Sequence, residues 1–233
     1  MSGLKQTMRL LATGLVATVA AAAVTLPVLS VATAKEKPPQ EWDGLVRQTS
    51  KKLDNVYIRP NVTFKAYKNL RIDPVEVKFD KNWDPNDGTR TLSNRLSNEE
   101  IEDIRTGIAK TTMEEFTKRL EKAGYPVVTA NGDDVLVVQA AVINVYINAP
   151  ETNSASITRS YTMDAGHATI VMQVNDSVTG QTLARVVDTQ QGLDNGRLQW
   201  TTSVSNSAEA RRILGIWADA LIRGLDKVNG KTR

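Results

Sequence analysis

The sequence predicts an α+β protein of two layers, in which a mainly antiparallel sheet carries two long amphipathic helices on one face. Stretches within residues 56–79 and 135–187 alternate apolar and polar positions, as half-buried strands do. Residues 98–123 and 206–228 instead repeat apolar positions every three or four residues, the period of one helix face. A helix with one apolar face must bury it, so both helices are expected to cover the same side of the sheet.

The N-terminus has the pattern of a secretory signal. A positively charged start precedes an apolar stretch at residues 10–32, and small residues follow it up to Ala34. We therefore expect residues 1–34 to be a signal peptide, cleaved between Ala34 and Lys35, which leaves a periplasmic chain without a membrane span. The alternative is that residues 10–32 stay uncleaved and anchor the protein in the inner membrane, because about 20 apolar residues can cross a bilayer.

The composition excludes several classes of site. The 233 residues include no cysteine and one histidine. Disulfides, zinc–thiolate sites, iron–sulfur clusters and thiol nucleophiles are therefore excluded, as is a metal site with two imidazoles from one chain. The net charge of +3 falls to +1 without residues 1–34, which hold two basic residues and no acidic ones. A nearly neutral domain lacks the broad positive surface of nucleic-acid-binding proteins, so we expect no nucleic-acid partner.

The first part of the mature chain is polar. Residues 35–55 are predicted to be a polar tether, followed by a single α+β domain at residues 56–229. Its apolar residues, Trp42, Leu45 and Val46, are expected to lie against the domain. The alternative is that the tether sets a reach from the membrane or from a partner.

Two extended segments, at residues 56–64 and 70–79, open the domain. From Val75 to Phe79 apolar residues alternate with charged ones, which indicates a half-buried strand. Pro74 cannot donate a ladder hydrogen bond, so this strand is expected to start there or to lie at a sheet edge.

A turn-rich segment follows at residues 80–95. It contains a string of Asp, Asn and Gly that superficially resembles a calcium-binding loop. Gly88 comes one place too early for an EF-hand, and Arg95 occupies the place of the bidentate glutamate. The segment is therefore interpreted as a turn.

The first long helix has clear boundaries. Ser97 and Glu100 form a capping box, and Gly124 followed by Pro126 ends the helix, which predicts a helix over residues 98–123. Its apolar face consists of Ile101, Ile104, Ile108, Thr112, Phe116, Leu120 and Ala123.

Three strands are expected next. Residues 135–147 form an apolar run that is long for a strand, so a bend or bulge is expected near Ala140 and Ala141. Residues 168–174 and 183–187 are predicted to form an antiparallel hairpin. The segments 149–164 and 190–203 are polar and are predicted to be loops.

The last predicted element is a helix that Asn206 caps, with Glu209 three places further on. Its apolar stripe consists of Ala210, Ile213, Leu214, Trp217, Leu221, Gly224, Leu225 and Val228.

No set of residues assembles into a catalytic, cofactor-binding or metal-binding motif, so none is assigned. His167 is the only candidate base, and alternation places it opposite Ala168 and Ile170, which favours an exposed structural histidine. In a hypothetical site, Asp164 could share a metal or a proton with it. The adjacent acids Asp133-Asp134 are interpreted as turn residues.

The tryptophans are interpreted from their surroundings. Trp217 lies on the apolar stripe of the last helix and is expected in the core. Trp83 and Trp200 occur in turn-rich segments, where an exposed ring could anchor a sugar or a protein, or could close the edge of the core.

Several short motifs occur in a characteristic order along the chain. They are Tyr57-Ile58-Arg59-Pro60, Tyr67, Leu70-Arg71-Ile72-Asp73-Pro74-Val75, Leu96-Ser97, Ala140-Ala141-Val142-Ile143-Asn144-Val145, Asp176-Ser177-Val178-Thr179-Gly180 and Trp217-Ala218-Asp219-Ala220-Leu221. Together they resemble the domain-of-unknown-function 3313 family of exported Gram-negative envelope proteins. The resemblance covers about residues 56–226 and implies an envelope location, without an established activity, ligand or catalytic residue. Many family members look like lipoproteins, whereas this chain has no cysteine to acylate.

Two functions are compatible with this sequence. The first is a non-catalytic periplasmic binding or assembly module, with an envelope protein or a glycan as its partner. The second is a periplasmic hydrolase that uses carboxylates on glycan or peptide, which requires two acids about 5–10 Å apart in one cleft with an apolar wall.

Overall fold

A computed structural model of the protein describes residues 37–87, 95–147, 160–162, 166–192, 199–201 and 203–231. For residues 160–162, 199–201 and 203–207 it describes the backbone only. The expected cleavage position between Ala34 and Lys35 lies outside the described residues.

The described part of the chain contains ten strands and two helices. The strands are β1 (Glu41–Trp42), β2 (Leu45–Gln48), β3 (Asn55–Ile58), β4 (Asn69–Ile72), β5 (Glu76–Phe79), β6 (Val135–Tyr146), β7 (Ser160–Thr162), β8 (His167–Asp176), β9 (Thr182–Gln191) and β10 (Gln199–Thr201). The helices are α1 (Asn98–Lys122) and α2 (Ser203–Asn229).

Eight of the strands form one sheet. Seven of them follow the order β1-β2-β3-β9-β8-β6-β4. The eighth, β5, pairs with later residues of β6 than β4 does. Most neighbours are antiparallel, but β4 and β5 run parallel to β6. Parallel strands need a long crossover connection, and α1 supplies it between β5 and β6. The predicted α+β class and the mainly antiparallel sheet are confirmed.

Helix α1 begins where predicted and ends one residue earlier than predicted, at Lys122. Ser97 accepts a hydrogen bond from the backbone of Glu100, whose side chain accepts one from Ser97 in return, so the capping box is complete. Gly124 ends the helix with φ of 79°, a conformation in which a side chain would be strained. Of the predicted apolar face, Phe116 and Leu120 are fully buried, whereas Ile101 is half-buried.

The segment predicted to be a tether contains a hairpin. Residues 41–48 form β1 and β2, joined by a turn in which Asp43 and Gly44 both have positive φ. This turn type matches the twist of paired strands and favours an Asp-Gly sequence. Leu45 is fully buried, as expected for an apolar residue that lies against the domain, whereas Val46 is exposed.

Two side chains fix this hairpin to the sheet. Arg59 donates from Nε to the carbonyl of Thr182 at 2.7 Å and from Nη2 to the carbonyl of Asp43 at 3.2 Å. The hydroxyl of Tyr57 donates to the carbonyl of Pro39 at 3.1 Å. Both donors belong to the segment Tyr57-Ile58-Arg59-Pro60 that carries the family resemblance, so that segment has a structural role in this chain.

The irregularity of β6 lies later than predicted. The register with β8 shifts between Ile143 and Tyr146, and Asn144 has φ of 50°. The expectation of a bend near Ala140 and Ala141 is therefore wrong. Asparagine tolerates positive φ better than most residues, which explains the position of the bulge.

Two segments predicted to be loops contain short strands. β7 lies within 149–164, β10 lies within 190–203, and the two pair with each other. A three-residue strand is too short for its alternation to be recognised in a sequence. Helix α2 begins at Ser203, so the prediction that Asn206 caps it is wrong. Several residues of this segment favour caps, and sequence alone did not distinguish them.

The apolar core joins both helices to the sheet. It includes Phe116 and Leu120 of α1, several residues of α2, and alternate residues of β4, β6 and β8. Trp217 is 1% exposed, which confirms its predicted place in the core. Its indole Nε1 donates to Oδ2 of the buried Asp188 at 2.8 Å.

The two helices also contact each other through an ion pair. Arg119 of α1 donates from Nη1 to both carboxylate oxygens of Asp219 at 3.0 Å. The guanidinium lies over Gly215, where a Cβ would come within 2.7 Å of its central carbon. A side chain at position 215 would therefore displace the guanidinium, which is the end of a flexible side chain. Neither helix among the described residues is long and apolar enough to cross a membrane.

Candidate functional site

Strand pairing assembles a row of polar side chains that the core does not include. Tyr57 is the register partner of Arg185, Arg185 of Gln173, and Gln173 of Gln139. Register partners on neighbouring strands point to the same face of a sheet. Asn175 lies two places from Gln173 and shares this face. We call the surface formed by these five residues the polar face.

A chain of hydrogen bonds links the polar face to the sheet edge. Asn175 donates from Nδ2 to Oε1 of Gln139 at 2.9 Å, and Gln139 donates from Nε2 to Oδ2 of Asp73 at 3.0 Å. The other oxygen of Asp73 lies 3.0 Å from Nη2 of Arg71. The chain crosses β8, β6 and the end of β4, and it holds the side-chain amides in fixed orientations.

Two amide groups of the polar face are not fully hydrogen-bonded. Asn175 is 8% exposed, and its Oδ1 is buried without a hydrogen-bond partner. Gln173 is also 8% exposed, and no hydrogen bond of its side chain is present among the described residues. A buried polar atom without a partner costs about 1–3 kcal/mol, so such atoms need an explanation.

Arg185 is the buried cation of the polar face. Its side chain is 5% exposed, and Nη1 donates to Oδ2 of Asp43 at 2.9 Å. The guanidinium carbon lies 3.9 Å from the ring centroid of Trp42, a cation–π contact. The rings of Trp42 and Tyr57 are perpendicular to each other, with centroids 5.6 Å apart. Nε of Arg185 is nevertheless buried without a partner.

An aromatic pair lies further along β6 and β8. The ring of His167 stacks on the ring of Tyr146, with centroids 5.4 Å apart and an interplanar angle of 13°. His167 is half-buried, so the expectation that it is exposed is only partly met. Asp164, proposed as its partner in a hypothetical site, lies outside the described residues.

The remaining residues singled out in the sequence have structural contacts. Trp83 stacks on Phe79 with centroids 4.0 Å apart and donates from Nε1 to the carbonyl of Ile147 at 3.0 Å, so it closes an edge of the core. Asp134 accepts a hydrogen bond from Nδ2 of Asn69 at 2.8 Å, as a residue of the turn before β6. The side chain of Trp200 lies outside the described residues.

A tyrosine–carboxylate pair fixes the turn between β8 and β9. The Tyr67 hydroxyl donates to Oδ2 of Asp176 at 2.6 Å. Hydrogen bonds from the Thr179 backbone, from Tyr67 and from Val178 lower the pKa of Asp176 to about 2. Burial and the bond to Asp176 raise the pKa of Tyr67 to about 12. Asp176 therefore stabilises the fold above about pH 4 and loses this effect as the pH falls towards 2, whereas the contribution of Tyr67 is lost as the pH rises from 10 towards 12.

Replacing Tyr67 by phenylalanine is expected to raise the pKa of Asp176 from about 2 part of the way towards 3.8, because one donor is lost while the bonds from Thr179 and Val178 remain. The carboxyl ¹³C signal of Asp176, followed by NMR through a pH titration, measures this pKa. Tyr125→Phe is the matched control, since Tyr125 donates to Asp226 instead. An unchanged pKa of Asp176 in Tyr67→Phe would contradict the assignment.

A shallow groove of about 600 Å³ runs along the surface of α1. Its acids, Glu114 and Glu121, alternate with Lys118 and Lys122 on the same helix. This is the spacing of a solvated helix face with mixed charges. Among the described residues, no group of three or more His, Cys, Asp or Glu side chains is placed to hold a metal ion.

Comparison with known proteins identifies the family. The family model described as "Protein of unknown function (DUF3313)" matches residues 35–221. The chain belongs to the DUF3313 family. The resemblance inferred from the sequence is thereby confirmed. Among curated proteins, none matches the chain.

Several solved structures are similar to this DUF3313 chain, at low sequence identity. A minor lipoprotein from Acinetobacter baumannii is 12% identical, with 69% of this chain and 94% of that chain covered and a TM-score of 0.35. The PelC dodecamer from Paraburkholderia phytofirmans is 10% identical, with 69% and 95% covered and a TM-score of 0.35. A lipoprotein from Neisseria meningitidis is 13% identical, with 68% and 98% covered and a TM-score of 0.30. At these values no function is carried over to this chain.

Proposed function

We propose that this DUF3313 protein is an exported, non-catalytic binding or assembly module of the cell envelope, and that the polar face is its binding surface. The observation that carries the proposal is the incomplete hydrogen bonding of two buried groups on one face of the sheet. Nε of Arg185 and Oδ1 of Asn175 both lack a partner. Each costs free energy in the unbound protein that a bound group with matching donors and acceptors would recover.

The position of these groups supports binding more than chemistry. The residues of the polar face are amides, a phenol and a guanidinium that is paired with Asp43. Such groups orient a ligand by hydrogen bonds, and none of them is a base or a nucleophile at neutral pH. The core cluster, which contains residues of both helices, supports the inference that the helices form a second layer on the opposite face.

Export is a separate part of the proposal. The charge, apolar centre and small residues of positions 1–34 support a signal peptide that is cleaved before Lys35. The mature protein is then periplasmic. Intact-mass measurement of protein released by osmotic shock tests this, since a chain that begins at Lys35 is expected. A full-length chain found only with the inner membrane would instead support the uncleaved anchor.

Gene deletion with complementation tests the binding role. Thr189 is exposed on β9 and is the register partner of Thr169, so it lies at the rim of the same face. We expect deletion to alter sensitivity of the envelope to detergents or antibiotics, and Thr189→Lys to fail to restore it. Gln181→Lys, at an exposed position of the β8–β9 turn, is the matched control and should restore it. A deletion without any envelope phenotype, or full complementation by both variants, would argue against the proposal.

A further inference from the structure

The geometry of the polar face points to an uncharged, extended peptide segment of a partner protein as its ligand. This inference rests on the proposed function and specifies the chemistry of the partner. The two cations in this region are already in ion pairs: Arg185 is paired with Asp43, and Arg71 is paired with Asp73. Both cations near the unpartnered amides are therefore already neutralised, so an anionic or cationic ligand gains no unpaired counter-charge there.

The groups without partners require a donor and an acceptor together. The buried Nε of Arg185 is a donor and the buried Oδ1 of Asn175 is an acceptor. The amide of Gln173, whose side chain has no hydrogen bond among the described residues, is both a donor and an acceptor. A peptide unit presents one N–H and one C=O, so it can exchange two hydrogen bonds with a glutamine side chain and continue to groups on either side. An ion or an apolar group satisfies only one of these requirements or none.

The spacing of the three residues suits a short length of extended chain. Arg185 and Gln173 are register partners on neighbouring strands, which lie about 4.8 Å apart. Gln173 and Asn175 are two places apart on β8, about 6.7 Å. An extended peptide rises about 3.3 Å per residue, so two to four residues span the set.

Aromatic contacts favour a peptide over a glycan. A sugar ring is usually held against a free aromatic face, but one face of Trp42 is covered by Arg185 and one face of Tyr146 by His167. Access to Nε of Arg185 and Oδ1 of Asn175 requires a local opening, because both atoms are buried. At Arg185 the hairpin that carries Trp42 is suited to this, since Trp42 lies over the guanidinium and β1 has two residues and pairs only with β2.

NMR titration of the full mature protein tests the chemistry of the ligand. The probe is acetyl-Ala-Ala-N-methylamide, an uncharged peptide, and the comparison probes are tri-N-acetylchitotriose and acetate. We expect the peptide alone to shift the side-chain signals of Gln139, Gln173 and Asn175 and the Nε–H signal of Arg185, in a saturable manner. Larger shifts with the sugar or with acetate would overturn the inference, and so would the absence of any shift on this face.

A substitution separates binding from folding. Asn175→Val removes the unpartnered acceptor, but it also removes the Nδ2 donor to Gln139. These effects oppose each other, and valine favours a strand, so the melting temperature of the variant is expected to stay close to that of the wild type. Its affinity for the peptide probe should fall about tenfold or more, the effect of one hydrogen bond. Gln48→Val, which removes an exposed amide on β2, is the matched control and should leave the affinity unchanged.

The outcomes distinguish this inference from the proposed function. If Thr189→Lys fails to complement but the peptide probe does not bind, the polar face is a binding surface for a different chemistry and the peptide inference is wrong. If Asn175→Val binds the peptide as tightly as the wild type, the assignment of Asn175 is wrong. If neither complementation nor titration implicates the polar face, both are wrong.

Discussion

Replacing Trp217 by alanine is expected to lower the free energy of unfolding by about 3–5 kcal/mol, the range measured for large aromatic residues in protein cores. Trp217 is 1% exposed and lies in the cluster that joins both helices to the sheet. The substitution leaves a cavity there and also removes the indole donor to the buried Asp188. Urea denaturation of the two proteins, analysed by linear extrapolation, measures the difference.

A conservative variant separates these two contributions. Trp217→Phe retains much of the apolar volume but cannot donate to Asp188, so a loss of about 1–3 kcal/mol is expected for the missing hydrogen bond. Oδ1 of Asp188 keeps the bond from the Asp54 backbone, and Oδ2 keeps the bond from Gln190. A loss below about 1 kcal/mol for Trp217→Ala would show that the helix does not pack on the sheet as described.

Replacing Gly166 by alanine is expected to cost at least about 3 kcal/mol, an effect that only a few mechanisms produce in proteins. Gly166 precedes β8 and has φ of 99°. An added Cβ would overlap the carbonyl oxygen of Tyr146 and lie 2.9 Å from its carbonyl carbon. Both colliding atoms are backbone, so the end of β6 must move, and the stacked pair of Tyr146 and His167 is lost with it.

Gly180→Ala is the matched control for Gly166→Ala. Gly180 also has positive φ, 71°, but no atom lies within 4 Å of the added Cβ. Its cost should be limited to the backbone conformation, about 1–2 kcal/mol. Thermal and urea unfolding of both variants measures the comparison. Equal costs would contradict the close approach of Gly166 and Tyr146.

Local signals explain why the helices and the central hairpin could be predicted. The capping box at Ser97 and the glycine at position 124 act within a few residues of each helix end, and the structure has both. The alternation in β8 likewise depends on the strand itself. The hairpin β1–β2 also had a local signal that the tether interpretation overlooked, because Asp43-Gly44 lies between apolar residues and favours this turn.

The polar face could not be predicted because it is created by strand pairing. Gln139, Gln173 and Arg185 are far apart in the sequence, and only the register of β6, β8 and β9 puts them in one row. In the sequence each is one polar residue in an alternating strand, which normally indicates exposure. The parallel pairing of β4 and of β5 with β6 could not be predicted either, since it depends on the path of α1 across the sheet.

Site-specific photocrosslinking in living cells tests the central claim most directly. A photoreactive residue at Thr189, at the rim of the polar face, is compared with one at Lys118, which is exposed on α1. We predict a discrete crosslinked product at Thr189 that is lost when Asn175→Val is introduced, and no such product at Lys118. A product at Lys118 alone, or a Thr189 product of the same yield in the Asn175→Val background, would contradict binding through the polar face.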